Sequence, residues 1–125
     1  RNITLRDAVQ IGLRRFQAQI AARSDGSSAA DDSIPIHVAP IPLGIEVDVD
    51  SISGVPVSAY TNCGFSVNDA EHFVYLAAQH PSAAYLHICE AAPGNHPQGF
   101  DQGTSEVGQV LSGLVCSFLT SRNTR

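Results

Sequence analysis

Lysine, methionine and tryptophan are absent from these 125 residues, and the basic charge comes from seven arginines held at the two ends. Arg1, Arg6, Arg14, Arg15 and Arg23 lie in the first stretch; Arg122 and Arg125 lie in the last. Between Arg23 and Arg122 there is no Lys or Arg, while 11 of the 12 acidic residues fall there. A field of that sign repels nucleic-acid phosphates and anionic membrane surfaces, so neither is an expected partner. It favours metal cations or a cationic substrate. Long apolar runs are missing too. Nothing approaches the roughly 20 consecutive apolar residues needed to span a bilayer, and no basic stretch followed by an apolar one marks a secretory signal. Cys63, Cys89 and Cys116 are odd in number, far apart and without a C-x-x-C pair. That excludes a disulfide scaffold and a zinc knuckle and fits a reducing, cytoplasmic compartment. A chain that starts at Arg1 and has no Met reads as a piece of a longer polypeptide, of a size to build one domain and not two.

What is present alternates between helical and extended patterns. Leu5, Val9, Leu13, Phe16 and Ile20 recur at helical spacing behind Thr4, a candidate N-cap, and predict a helix over about 5–23. Small polar residues over 24–35 predict a flexible loop. Residues 34–43 are apolar, but Pro35, Pro40 and Pro42 exclude helix and allow at most an interrupted edge strand. A strand is expected over about 43–50. Turn residues follow (Gly54, Pro56, Asn62, Gly64), then Ser66 and Asp69 form a capping-box pattern that opens a helix to about 79. Residues 83–90 are nearly all apolar, as in a parallel strand covered on both faces. Val107, Val110, Leu111, Leu114, Val115, Phe118 and Leu119 stripe a final helix, expected to begin near Thr104. This order predicts an α/β fold with parallel strands joined by helical crossovers.

Both strands end in acids. Asp48 and Asp50 stand two apart, the spacing that points side chains to one side of a strand, and Glu90 ends the second strand. Ligands of open α/β sheets sit just beyond the carboxyl ends of strands. Carboxylates gathered there repel one another unless a cation, a shared proton or a basic group compensates, and a hard divalent metal is the simplest compensator. The histidines form no metalloprotease spacing. His87 is expected to be a hydrogen-bonded core residue and His72 a solvated one; His96, after Glu90, is the histidine placed to touch a substrate. His37 and His80 carry no specific signal. Cys89 and Cys116 are expected as small core hydrophobes, and Cys63 as exposed. No nucleophile elbow or phosphate loop is present.

From about Ile36 to Leu119 the residues resemble the C-terminal part of the ureohydrolase superfamily, which includes arginase, agmatinase and formimidoylglutamase. The landmarks are Asp48-Val49-Asp50-Ser51-Ile52, Pro56 and Ser58 in the next loop, Gly64-Phe65-Ser66 opening a helix with Asp69-Ala70, and Glu90 followed by Pro93. The first three look closest to the formimidoylglutamase branch. The resemblance implies a three-layer α/β/α fold with a parallel sheet, arginase-like, of which only the last βα units are in this chain. It implies a binuclear manganese hydrolase, homo-oligomeric as the whole protein, cleaving a C–N bond of a small cationic amidino or formimidoyl substrate. Asp48 would bridge two Mn²⁺ ions, Asp50 would ligate one, and Glu90 would face the substrate's cationic group. The chain departs from the family in several places. Its Gly-Gly-Asp-His and Asp-Ala-His-x-Asp motifs are missing, Ser53 replaces an Asp, Ser58-Ala59-Tyr60 replaces Ser-Cys-Pro, and Glu90-Ala91-Ala92-Pro93 replaces Glu-x-Asn-Pro. Two aspartates cannot hold a metal pair unaided, so the chain alone is expected to be inactive. The alternative is a non-catalytic ureohydrolase-like remnant kept for assembly or binding.

Overall fold

The computed structural model describes residues 3–25 and 41–124, with side chains from 3–22 and 41–124. The fold is mixed α/β: α1 (Leu5–Asp25), β1 (Leu43–Asp48), α2 (Val67–Ala78), β2 (Ala83–Cys89) and α3 (Phe100–Asn123). Short 3₁₀ turns, Val49–Ser51 and Pro93–Asn95, follow the strands. β1 and β2 pair in parallel, with Gly44 beside Tyr85, Glu46 beside His87 and Asp48 beside Cys89. Among the described residues the sheet has these two strands. Among the described residues no helix is long and apolar enough to cross a membrane. The expected flexible segment 24–35, the interrupted strand before Pro42 and His37 lie outside the described residues, except that Ser24 and Asp25 belong to α1.

The first two helices start where their capping chemistry dictates. Asp7 N–H donates to Thr4 Oγ1 at 3.2 Å, and Thr4 N–H donates back to Asp7 Oδ2 at 3.3 Å. Ser66 and Asp69 form the same reciprocal pair at the head of α2. Such pairs satisfy backbone donors that the first helical turn leaves without carbonyl partners. The third helix begins at Phe100, earlier than the apolar stripe predicts. Gly99 turns the chain at φ 97°, and Gly103 bonds back to Gly99 O at 3.1 Å. A Cβ on Gly103 would collide with Pro93 O, so the poor helix former is there because α3 presses against the turn after β2.

The core lies between one face of the sheet and α2 with α3. Ile45 and Val47 of β1 point into it, with Val49, Ile52, Val74, Ala78 and Leu114 essentially sealed from solvent. Ser121, also fully buried, donates to Tyr75 O at 2.7 Å and joins α3 to α2. Arg122, at first sight a tail charge, donates to Ala83 O at the start of β2. The expectation that β2 is covered on both faces fails among the described residues. Leu86 and Ile88 face the helices, whereas Tyr85 is 55% exposed on the opposite face and His87 pairs with Glu46 beside it in solvent. An apolar run does not by itself report how many layers cover it. Cys116, expected in the core, is exposed on α3, because helical spacing turns it away from the Leu114 stripe.

Candidate functional site

The first strand ends two residues earlier than the alternation predicts, because Asp48 supplies the backbone with a competing partner. Asp48 Oδ1 accepts from Asp50 N–H at 2.9 Å, Ser51 Oγ donates to Asp48 O at 2.6 Å, and Ile52 N–H donates to Val49 O at 3.0 Å. Short polar side chains that bond to nearby backbone end regular structure in this way. Asp50 therefore leaves the strand for a 3₁₀ turn, and the i, i+2 geometry that would have aimed both aspartates alike does not apply. Asp48 is exposed on the open sheet face, while Asp50 is half-buried.

Three long-range ties then bring Asp50 and Glu90 together. Ala91 bridges Val57, Ala92 N–H donates to Pro56 O at 3.0 Å, and Asn95 Nδ2 donates to Val57 O at 3.0 Å. The loop carrying Ser58 is thereby fastened to the segment after β2. Ser58 Oγ sits 3.3 Å from Asp50 Oδ2 and 3.5 Å from Glu90 Oε2. Asn95, from the turn after β2, thus braces this loop through its side chain. Ser58 was legible only as a landmark, not as the link between the acids.

Two features of this rim are unusual. Glu90 has φ 67°, the only described non-glycine residue in the left-handed region. That conformation costs on the order of 1 kcal/mol and persists only where surrounding bonds impose it; here the ties at Ala91 and Ala92 do so. Asp50 Oδ1 is buried with no hydrogen-bond partner. A buried acceptor left unpaired is costly, and an orphaned carboxylate oxygen suits a cation. Asp48, spending Oδ1 on Asp50 N–H, offers the rest of its carboxylate. Among the described residues, however, no three His, Cys, Asp or Glu side chains stand close enough to hold one metal ion. The described residues fit part of a metal site and do not by themselves complete one.

Cys89 lies across β1 from Asp48, its Sγ 3.9 Å from Val47 O. Desolvation pushes its thiol above the ordinary 9.0, and the charges of Asp48, Glu90, Glu46 and Asp50 push it further. No arginine counters the rim: the ion pairs among the described residues are His87 with Glu46 and His96 with Glu106. His87 is hydrogen-bonded as expected, but on the surface and not in the core, since it belongs to the open face of β2. His96 is fixed differently from expectation. Its Nδ1 accepts from Gln98 N–H at 3.0 Å, which leaves the proton on Nε2, 3.1 Å from Glu106 Oε2. That ring ties the loop to α3, although it also lines a groove with Ser58, Tyr60 and Asn95. His72 and Cys63 are exposed, as expected. No protein-family model, no curated protein and no solved structure matches the chain.

Proposed function

We propose that this chain is the C-terminal part of a manganese-dependent hydrolase of ureohydrolase type, which cleaves a C–N bond in a small cationic amidino or formimidoyl compound. One relationship carries the proposal: Asp50 and Glu90, from the ends of two parallel strands, converge on Ser58, and among the described residues no arginine pairs with either. Asp48 and Asp50 would hold metal jointly with ligands from outside this stretch. When bound, a manganese pair supplies a hydroxide at neutral pH and stabilises the charge developing on the attacked carbon's substituents. Asp50 keeps Oδ1 free for that purpose. Glu90 is suited to accept two parallel hydrogen bonds from a planar cationic group, and Ser58 orients it against Asp50.

The edges of the sheet support the idea of a larger assembly. Among the described residues a groove of about 380 Å³ runs between α1 and the unpaired edge of β1, lined by Leu5, Val9, Leu13, Leu43, Phe73 and others. A further parallel strand beside β1 would fill it, and two-stranded sheets are rarely stable alone. The second reading, a non-catalytic module for assembly or binding, is favoured by the lack of any three-ligand group among the described residues.

The deciding experiment uses the longest natural polypeptide that carries this stretch, loaded with Mn²⁺ and offered amidino and formimidoyl compounds while ammonia, urea and formamide release is followed. Activity that Glu90→Gln lowers by about a hundredfold or more, with metal content unchanged, supports the hydrolase. A folded protein with no turnover of any of these compounds supports the module.

A further inference from the structure

Among the described residues no arginine pairs with the acidic rim, and Arg6 and Arg14 line one cavity elsewhere. We propose that the cleft between α1 and the C-terminal end of α2 binds a small oxyanion, a carboxylate or a phosphate. Its floor is apolar, formed by Val9, Leu13 and Leu76, and its rim carries Arg6, Arg14, Gln17 and His80 in a volume of about 280 Å³. Helical spacing sets Arg6, Leu13, Arg14 and Gln17 along one side of α1, so both guanidinium groups border the same cavity.

Neither arginine is committed to a carboxylate. The ion pairs of the described residues involve histidines only, and Arg14 merely reaches Gln10 Oε1 at 3.4 Å. The nearest acid, Asp7, has its Oδ2 engaged by the backbone and hydroxyl of Thr4. Those bonds, and then the charge of Arg14, hold its carboxyl below the usual range.

The rest of the rim adds donors. His80 is buried, and its Nδ1 accepts from Ser82 N–H at 3.1 Å, which leaves the proton on Nε2. Nε2 lies 3.1 Å from the Gln17 side-chain amide. Two donors cannot face each other across the 3.1 Å between Gln17 Nε2 and His80 Nε2, so the Gln17 amide is assigned the opposite orientation, oxygen to His80 and NH₂ toward the cleft. Arg6, Arg14 and Gln17 thus converge as donors, engaged within the rim only by the long contact of Arg14 with Gln10 Oε1. In a chain of net charge −5 this cleft carries the opposite sign. Planar guanidinium groups bind carboxylate and phosphate through paired hydrogen bonds; a metal ion or a cationic substrate would be repelled.

The test is an NMR titration of the full chain with inorganic phosphate, with succinate, and with sodium chloride at matched ionic strength. The proposal expects saturable shifts of the α1 and His80 amides with at least one oxyanion and not with chloride; the tighter of the two identifies the class. Arg6→Gln with Arg14→Gln weakens that binding by about tenfold or more, whereas Arg15→Gln, on another side of α1, leaves it unchanged. Gln10→Lys adds a charge to the same rim and tightens binding about threefold. This second variant keeps the test decisive if the double substitution loses helix. Absence of saturable binding up to about 10 mM, equal binding by wild type and double variant, an equal loss in Arg15→Gln, or no gain in Gln10→Lys would each overturn the proposal.

Discussion

Asp50 and Glu90 compete for a single proton: the Ser58 hydroxyl reaches one at 3.3 Å and the other at 3.5 Å, and it can donate to only one of them at a time. Asp50 Oδ1, meanwhile, is buried without a partner. An arrangement this poorly compensated lowers stability.

Asp50→Asn should therefore stabilise the fold. The amide keeps the shape, removes a buried negative charge beside Glu90 and adds a donor that the carboxylate lacks. A gain of about 1 kcal/mol is expected, visible as a higher midpoint in chemical denaturation without added metal. A fall in that midpoint would mean that Asp50 is satisfied in a way the geometry does not contain.

Cys89 reports on the same rim. Desolvation and four neighbouring carboxylates raise its thiol above the ordinary 9.0, so less of the reactive thiolate is present at a given pH. Iodoacetamide at pH 8 should modify Cys63 and Cys116, both exposed, before Cys89. Asp48→Asn should accelerate Cys89 selectively. Peptide mapping by mass spectrometry distinguishes this from equal labelling of all three.

The helices and the order of elements were legible in the sequence because apolar stripes and capping residues act locally: Thr4 with Asp7, and Ser66 with Asp69, start helices where their spacing says. The end of β1 was not legible. Alternation through Val47 and Val49 hides the bond from Asp50 N–H to Asp48, which wins over one more strand rung. Gly103 concealed the first turn of α3, since a glycine argues against helix unless its contact with Pro93 is known. The acids at the strand ends could be picked out, but their actual meeting point could not. It depends on Ala92 reaching Pro56 and Asn95 reaching Val57, pairings between residues distant in sequence that no local pattern encodes.

That account of α3 makes opposite forecasts for two glycines of one helix. Gly103→Ala would drive a methyl group into Pro93 O and should cost about 2 kcal/mol or more. Gly108→Ala meets nothing within 4 Å and should stabilise by about 0.5–1 kcal/mol, through better helix propensity and a less flexible unfolded chain. Thermal denaturation of both variants checks the contrast. Equal shifts of the same sign would show that α3 does not press on the turn after β2.

The start of α1 should depend on pH in one direction. Bonds from Thr4 lower the Asp7 carboxyl below its ordinary 3.8. A group with a depressed folded value stabilises fully above the ordinary value and loses that contribution as pH falls through the folded one. First-turn amides of α1 should thus fray only below about pH 4. In Thr4→Ala they should be frayed already at pH 7, with little further change on acidification. Amide exchange at Ala8, which bonds to Thr4 O, follows the effect.

The most direct test of the central claim is a Mn²⁺ titration of the chain, with free ion followed by electron paramagnetic resonance, beside a variant carrying Asp48→Asn and Asp50→Asn. The wild-type chain should bind one ion weakly, in the millimolar to high-micromolar range expected of an incomplete ligand set. The variant should bind at least about tenfold more weakly. Equal affinity in the two proteins, or no binding by either, would contradict a cation site at the ends of β1 and β2.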